Sequence, residues 1–298
     1  MRYGIDLGGT KTEIVALSEN GDEVFKTRTN TPRGSYSEIL STVKDLVDQA
    51  DLASGRLGSI GIGIPGTISP KNGLVKNANT TELIGHPLEI DLERLLGRPV
   101  KSANDANCFA LSEATDGAAK GAATVFAIIL GTGVGGGIVI DGKVLVGSNA
   151  IAGEWGHTPL PWANQNERPG PLCYCGKKGC IETFLSGPGL SQSHNSVGGS
   201  GPSAEEIVAL ATHGDAAAER TLANFERRLA KALASVINII DPDIIVVGGG
   251  LSNIKQIYKN VPALWQEYTF SDGIETRLVP AKFGDSSGVR GAAWLWPA

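Results

Sequence analysis

What this sequence lacks narrows its class before any motif is read. No apolar run approaches the roughly 18 residues that a membrane-spanning helix requires, so no membrane partner is expected. The first residues, Met1-Arg2-Tyr3-Gly4-Ile5-Asp6, run directly into a strand pattern, without the charged stretch, apolar core and cleavage site of a secretory signal. Dense lysine or arginine runs are missing too. With 26 basic and 31 acidic residues the formal net charge is -5, which gives no general attraction to nucleic acid or to an anionic surface. Cysteine is sparse, with 4 in 298 residues, and the expected compartment is the cytoplasm. There thiols stay reduced, and clustered cysteines more often bind metal than pair.

Glycine, by contrast, is abundant: 40 residues exceed ordinary turn duty and point to places where backbone approaches backbone or a ligand closely. Hydrophobic content of 41% with 19% charged residues is that of a folded globular chain, and the length favours two lobes over one.

The organisation is partly repeated. A strand at Tyr3–Asp6, a glycine turn at Leu7–Thr12 and a strand at Glu13–Leu17 lead into Asn20-Gly21, a strong hairpin signal, and a third strand at Val24–Thr29. Later, Thr124–Leu130, a glycine turn spanning Gly131–Gly137, Ile138–Ile140, Asp141-Gly142 and Val144–Val146 follow the same plan. We read this as a duplicated, phosphate-holding β-ribbon, one copy per lobe. Between and after the copies, apolar periodicity predicts helices over 35–51, 108–115 (capped by Asn107), 217–240 and 289–295. Buried strands are predicted over 59–64, 99–102 and 244–247.

Three motifs carry chemistry. In Asp6-Leu7-Gly8-Gly9-Thr10-Lys11 the glycines let backbone N–H groups converge on phosphate oxygens, Thr10 adds a hydroxyl, and an acid at the strand end suits Mg²⁺. The pattern is not a P-loop, and a strand rather than a helix follows it, which rules out the dinucleotide fingerprint. A purely structural glycine hairpin is the alternative. In Asn104-Asp105-Ala106-Asn107 a carboxylate at a strand terminus can accept the proton of an attacking hydroxyl; the alternative is a simple helix cap. Third, His157, Cys173, Cys175 and Cys180 form a Cys₃His set suited to tetrahedral zinc, against the alternative of reduced structural thiols. Glu154 and Glu182 flank it as acceptors for the hydroxyls of a polar ligand.

Asp6-x-Gly-Gly-Thr-Lys11, Gly63-Ile-Pro-Gly66, Asn104-Asp-Ala-Asn107, Leu130-Gly-Thr-Gly133, Gly153-Glu-x-Gly-His157 and Cys173-x-Cys-Gly-x-x-Gly-Cys180-x-Glu182 stand in one order along the chain. Together they resemble the ROK family of sugar kinases and repressors. Within it, Lys76–Asn79, Pro159–Trp162 and Gly284–Trp296 resemble the bacterial fructokinase (manno(fructo)kinase) type. The resemblance implies an α/β, actin-like ATPase (ribonuclease H-like) fold of two lobes with a ligand cleft between them, here 1–106 plus 285–298 and 107–284. It implies Asp105 as general base, with Gly66, Asn79, Asn104, Asp105, Glu154, His157 and Glu182 around the sugar. Asp6 would serve Mg²⁺, and Gly8, Gly9, Thr10, Lys11 and Gly131, Thr132, Gly133 the phosphates of ATP. Gly248, Gly249 and Gly250 would lie near the adenosine, and a structural Zn²⁺ on His157, Cys173, Cys175 and Cys180 would clamp His157 and Glu182. One departure is the long, proline-rich segment Thr158–Leu172.

The expected activity is ATP-dependent phosphorylation of the 6-hydroxyl of D-fructose, with mannose as second substrate. Glucose or an N-acetylated hexosamine is the alternative acceptor. A non-catalytic sugar sensor or repressor is the reading from another class; family repressors carry a helix-turn-helix before the first ribbon, and Asp6 follows Met1 too closely for one. The family is often dimeric, so a homodimer is expected.

Overall fold

A computed structural model describes residues 1–198 and 201–296 of the chain. Packing divides it into two compact units. The first takes Met1–Gly121, Gly137–Ala152 and the chain from Lys282 onward; the second takes Ala122–Gly136 and Gly153–Ala281. Among the described residues no helix is long and apolar enough to cross a membrane.

In the first unit β1 (Arg2–Leu7), β2 (Lys11–Leu17) and β3 (Glu23–Asn30) form an antiparallel ribbon. Helix α1 (Tyr36–Ser54) starts where the Ser35 side chain accepts the Glu38 N–H and ends at Gly55, whose φ of 63° only glycine adopts at little cost. Its buried face is Ile39, Val43, Leu46, Val47 and Ala50. Then come β4 (Ser59–Ile64), the small hairpin β5 (Thr67–Ile68) and β6 (Val75–Lys76), α2 (Leu88–Leu96), β7 (Val100–Asn104) and α3 (Asp105–Thr115). The sheet order is β3-β2-β1-β4-β7, with β1, β4 and β7 parallel.

Because side chains alternate along a strand, Tyr3, Ile5 and Leu7 of β1 pack with α1 on one face of this sheet. Gly4 turns the other way, toward a C-terminal helix at Ser287–Ala293. That helix lies almost on backbone: a Cβ on Gly61 would stand 1.8 Å from the Ala292 carbonyl oxygen, and one on Gly291 only 1.6 Å from that of Cys108. Glycine is what admits the helix between the sheet and α3. Buried Glu113 of α3 fixes the segment leading into it, accepting the Ser287 hydroxyl at 2.7 Å and the Lys282 N–H at 3.1 Å.

The second unit contains β8 (Thr124–Leu130) and the start of β9 (Val134–Ile140), which passes into the first unit between Gly136 and Gly137 and is followed by β10 (Lys143–Val144). It continues with the short α4 (Glu182–Leu185), α5 (Gly187–Ser196), α6 (Ala204–Thr212) and the 25-residue α7 (Ala216–Ile240). Then follow β11 (Ile244–Gly248), α8 (Ile257–Trp265) and β12 (Arg277–Pro280). The α7 helix is capped by Asp215 and stops at Asp241, φ 43°, just before Pro242. The sheet order is β10-β9-β8-β11-β12, with β8, β11 and β12 parallel. Both sheets therefore run third-second-first-fourth-fifth in order of appearance. This repeated topology is the α/β, actin-like ATPase fold.

Local expectations shift in three places. Helix α3 begins at Asp105 and is capped by Asn104, whose side chain accepts the Ala106 N–H, because β7 runs on as far as Asn104. Asn107 is a buried residue inside the helix, not its cap. The glycine run 131–137 is not all turn: Gly135, Gly136 and Gly137 belong to β9, and a Cβ on Gly137 would meet the Ala106 carbonyl oxygen at 2.5 Å. The division after residue 106 differs from the observed one, in which α3 stays with the first unit through its packing on the C-terminal helix. Of the expected terminal stretch 285–298, residues 297 and 298 lie outside the described residues.

Candidate active site

In the first unit the β1–β2 turn is held by one threonine. Thr31 donates its hydroxyl to the Gly8 carbonyl oxygen at 2.7 Å and its N–H to that of Thr10 at 2.9 Å, while Gly8 N–H closes the turn on the Lys11 carbonyl oxygen at 3.0 Å. Beside the turn, Thr80 is buried, its hydroxyl has no partner among the described residues, and it stands 3.3 Å from where a Gly9 Cβ would be. An unsatisfied buried hydroxyl next to a glycine turn suits a polar ligand. At the end of β1, burial first, and then the carboxylates of Asp105 and Glu13, push the Asp6 carboxyl up to about 6. Within reach of both aspartates lies Cys108, fully buried, whose thiol is pushed well up by burial and then by Asp6 and Asp105. This surplus of negative charge fits a divalent cation accompanying a nucleotide.

Four expected sugar residues of this unit are drawn together from distant parts of the chain. Asn104 donates its side-chain amide to the Gly66 carbonyl oxygen at 3.2 Å and accepts the Ala106 N–H at 3.0 Å. Asn79 donates its N–H to the Pro65 carbonyl oxygen at 3.0 Å. Gly66 has no room for a side chain, since a Cβ there would meet the Lys76 carbonyl oxygen at 2.8 Å and Ala78 at 2.9 Å. Asp105 opens α3, with Ala106 N–H on its Oδ1 at 2.8 Å.

In the second unit Gly131 N–H closes a tight turn on the Gly133 carbonyl oxygen at 3.0 Å, and Gly187 N–H binds the Gly131 carbonyl oxygen at 2.8 Å. Gly131, Thr132 and Gly250 line a cavity of about 440 Å³, whose farther wall is Pro188 of α5, Glu205 and Val208 of α6, and Leu251. Gly248 ends β11, and Gly249, φ 79°, passes so close to β8 that a Cβ would stand 2.4 Å from the Leu130 carbonyl oxygen. The cavity is of a size that takes a nucleoside.

The cysteine-rich segment folds back on His157. Leu160 N–H donates to the Gly179 carbonyl oxygen and Ile181 N–H to that of Thr158, both at 2.9 Å. Trp155, buried, anchors the other side, donating its indole N–H to the Gly135 carbonyl oxygen at 2.9 Å and meeting Phe126 edge to face at 5.5 Å. As a result His157, Cys173, Cys175 and Cys180 bring their ligand atoms within 4.8 Å of one another. At zinc bond lengths of about 2.3 Å to sulfur and 2.0–2.1 Å to nitrogen, a tetrahedron spaces two sulfurs by about 3.8 Å and sulfur from nitrogen by about 3.6 Å. Cys175 and Cys180 sulfurs are 3.6 Å apart, and Cys173 Sγ is 3.6 Å from His157 Nδ1. The donor set and its spacing fit Zn²⁺.

Glu182 stands at the first position of α4; its Oε2 accepts the Val134 N–H at 3.0 Å and its Oε1 a contact from Cys173 Sγ at 3.8 Å. His157 Nε2 lies 2.9 Å from the Tyr174 hydroxyl. Desolvation, and then the carboxylates of Glu182 and Glu154, push that phenol up to about 12, although most of the ring is exposed to solvent. Glu154 itself is exposed.

The chain matches the ROK family over residues 2–298. It belongs to the ROK family. Over 299 residues it is 42% identical to a protein of Vibrio cholerae serotype O1 named N-acetyl-D-glucosamine kinase, covering 99% of each chain. Among solved structures it is similar to the ROK hexokinase of Thermus thermophilus, with TM-score 0.87 and 30% identity over 98% of this chain and 96% of that one. It is also similar to a ROK family glucokinase of Streptomyces griseus in complex with glucose and AMPPNP, with TM-score 0.77 and 29% identity over 99% and 98% of the two chains.

The expected likeness to fructokinase gives way here, because the end-to-end relative just described carries another sugar's name. Two of the three stretches behind that likeness answer to folding rather than to a substrate. Pro159–Trp162 sits in the long segment 158–172, which is pinned to α7: Glu167 is buried against Arg228 at 2.8 Å and Lys231 at 3.3 Å, and Lys231 also donates to the Trp162 carbonyl oxygen at 2.9 Å. Burial alone pushes the Glu167 carboxyl up, but Arg228, the Asn164 N–H and Lys231 hold it below the usual range. Gly284–Trp296 spans the helix that covers the first sheet. For the rest of this ROK-family site, Thr31 and Thr80 carry no motif, and the cavity wall from α5 and α6 has no signature in the sequence. Tyr174 is visible only as the residue between two ligands.

Proposed function

We propose that this chain is an ATP-dependent sugar kinase whose acceptor is N-acetyl-D-glucosamine, phosphorylated on its 6-hydroxyl. The observation that carries the acceptor is the end-to-end similarity to the Vibrio cholerae protein of that name. Kinase chemistry is supported by two glycine turns, a nucleoside-sized cavity beside one of them, and a carboxylate at a helix start.

Phosphoryl transfer is mainly a matter of position and charge. Backbone N–H groups of the Gly8–Lys11 and Gly131–Gly133 turns hold the ATP phosphates, and the base lies in the cavity closed by Leu251. Asp6 would hold Mg²⁺, which would supply charge neutralisation for those phosphates. Asp105 Oδ accepts the proton of the 6-hydroxyl as its oxygen attacks the γ-phosphorus in line and ADP leaves. Asn104 fixes that carboxylate in two ways, capping α3 and fastening the β7 end to Gly66. Gly66, Asn79, Asn104, Glu154 and Glu182 bind the sugar, and His157, whose Nε2 lies on the Tyr174 hydroxyl, stands beside them. His157, Cys173, Cys175 and Cys180 would hold a structural zinc: with four protein ligands it would leave no position for substrate or water, and it would serve to keep His157 and Glu182 in place.

The test is a coupled ADP-release assay with N-acetyl-D-glucosamine, followed by NMR of the product. ADP release with the phosphate on O6 is expected. Absence of ADP release with every hexose would make the chain a sugar sensor, and a phosphate on another oxygen would remove the proposed geometry.

A further inference from the structure

The Cys-x-Cys spacing leaves one residue between two metal-type ligands, and here it is a tyrosine. Cys173 is buried with its sulfur in the cluster, whereas Tyr174 points out of it and is 77% exposed. It is nonetheless held in place, its hydroxyl 2.9 Å from His157 Nε2 and its ring edge-to-face with the imidazole at 87° and 5.1 Å between centroids.

The direction of that hydrogen bond follows from the other side of the imidazole. Nδ1 faces the Cys173 sulfur at 3.6 Å, on the metal side; with Nδ1 on the metal, Nε2 would carry the proton and the Tyr174 oxygen would accept it. The phenolic O–H is then left to donate elsewhere. Leu172, two residues earlier, is 69% exposed, and Leu172, Tyr174 and Glu182 line a common cavity of about 210 Å³.

Those groups differ from the carboxylates of the second unit, and together they add an apolar surface that the proposed sugar shell otherwise lacks. Carboxylates such as Glu154 and Glu182 accept hydrogen bonds from sugar hydroxyls, but they can neither donate to a carbonyl oxygen nor cover a methyl group. A 2-acetamido substituent presents one of each. We propose that Tyr174 is a specificity-determining residue that reads the acetamido group: its hydroxyl, supported by His157, donates to the acetamido carbonyl oxygen, and its ring together with Leu172 covers the methyl. The inference rests on N-acetyl-D-glucosamine being the acceptor. It gives His157 an indirect part in sugar binding, through the tyrosine.

The experiment compares Tyr174→Phe and Tyr174→Ala with the wild-type, zinc-loaded full chain, using N-acetyl-D-glucosamine and glucose as acceptors. Zinc content and melting temperature of both variants should match wild type, since the side chain is exposed. Tyr174→Phe is expected to lower kcat/KM for N-acetyl-D-glucosamine by about tenfold, the worth of one buried hydrogen bond, through KM and not kcat. Tyr174→Ala should lower it further, while kcat/KM for glucose and KM for ATP stay within about twofold in both. An unchanged ratio of the two sugars in both variants would overturn the inference. So would tighter sugar binding, which would mean that the ring occupies the sugar's place and must leave. If the wild type does not use N-acetyl-D-glucosamine, the acceptor assignment itself has failed, and that result is distinct from an active wild type whose variants keep its selectivity.

Discussion

Glu182 Oε2 accepts the backbone N–H of Val134 at 3.0 Å, which fastens the start of α4 to the strand leaving the Gly131–Gly133 turn. Gly133 is glycine for the same reason, since a Cβ there would stand 2.8 Å from that carboxylate oxygen. A proposed sugar ligand and a proposed phosphate turn thus share one hydrogen bond. Glu182→Gln keeps an oxygen for Val134 but loses the charge, so it should raise KM for the sugar about tenfold or more and leave KM for ATP nearly unchanged. Glu182→Ala frees the turn as well and should raise both. Steady-state kinetics on the two variants check this, and equal behaviour of Gln and Ala would contradict it.

Asp105→Asn should reduce kcat by about 10²–10⁴, the usual worth of a positioned general base, while sugar binding measured by calorimetry persists. The substitution keeps an oxygen for the Ala106 N–H, so the start of α3 is not disturbed. Near-normal turnover would remove Asp105 from the role of base.

Metal removal should act through order, not chemistry. Chelation of zinc, or Cys175→Ser, is expected to lower zinc content and weaken sugar binding, with KM rising more than kcat falls, because His157 and Cys180 also tie residues 157–160 to 179–181. A fully active, zinc-free protein would defeat the structural role assigned to the metal.

Asp6 trades stability for function. Its folded pKa of about 6 lies above the ordinary value of 3.8, so the folded state binds the proton more tightly than the unfolded chain does. The cost of holding the carboxylate ionised is full above pH 6, declines as pH falls through 6, and is gone below about 4. Asp6→Asn should therefore stabilise the protein at pH 7.5 by on the order of 2–3 kcal/mol and lose that advantage by about pH 4. Its ATP-dependent turnover should fall, and Mg²⁺ with ATP should raise Tm less than in wild type. Denaturant titrations at pH 7.5 and pH 4.5 measure the gain; an equal gain at both would show that burial of charge is not its source.

How far the sequence carries the account depends on how local the determinant is. The ribbons are legible because hairpin dipeptides and glycine turns act within a few residues, as at Asn20-Gly21 and Asp141-Gly142. The α3 cap is not, because Asn104 and Asn107 are equally good caps and only the reach of β7 chooses between them. Gly135–Gly137 read as turn because their reason, the approach of α3 and Trp155, lies far along the chain. The metal cluster stands out because four ligand types crowd into a short span, whereas Thr31, Thr80 and the α5–α6 wall reach their sites through packing alone. The long 158–172 segment gains its order from Glu167 pairing with Arg228 and Lys231 of α7, 61 and 64 residues away, which no local pattern announces.

Kinetics with competing sugars decide which acceptor the site takes. ADP release should be followed over N-acetyl-D-glucosamine, N-acetyl-D-mannosamine, glucose, mannose and fructose at saturating ATP and Mg²⁺. The highest kcat/KM is expected for N-acetyl-D-glucosamine, at least tenfold above fructose and glucose. A higher kcat/KM for fructose, or for any sugar without the acetamido group, would contradict the acceptor assignment.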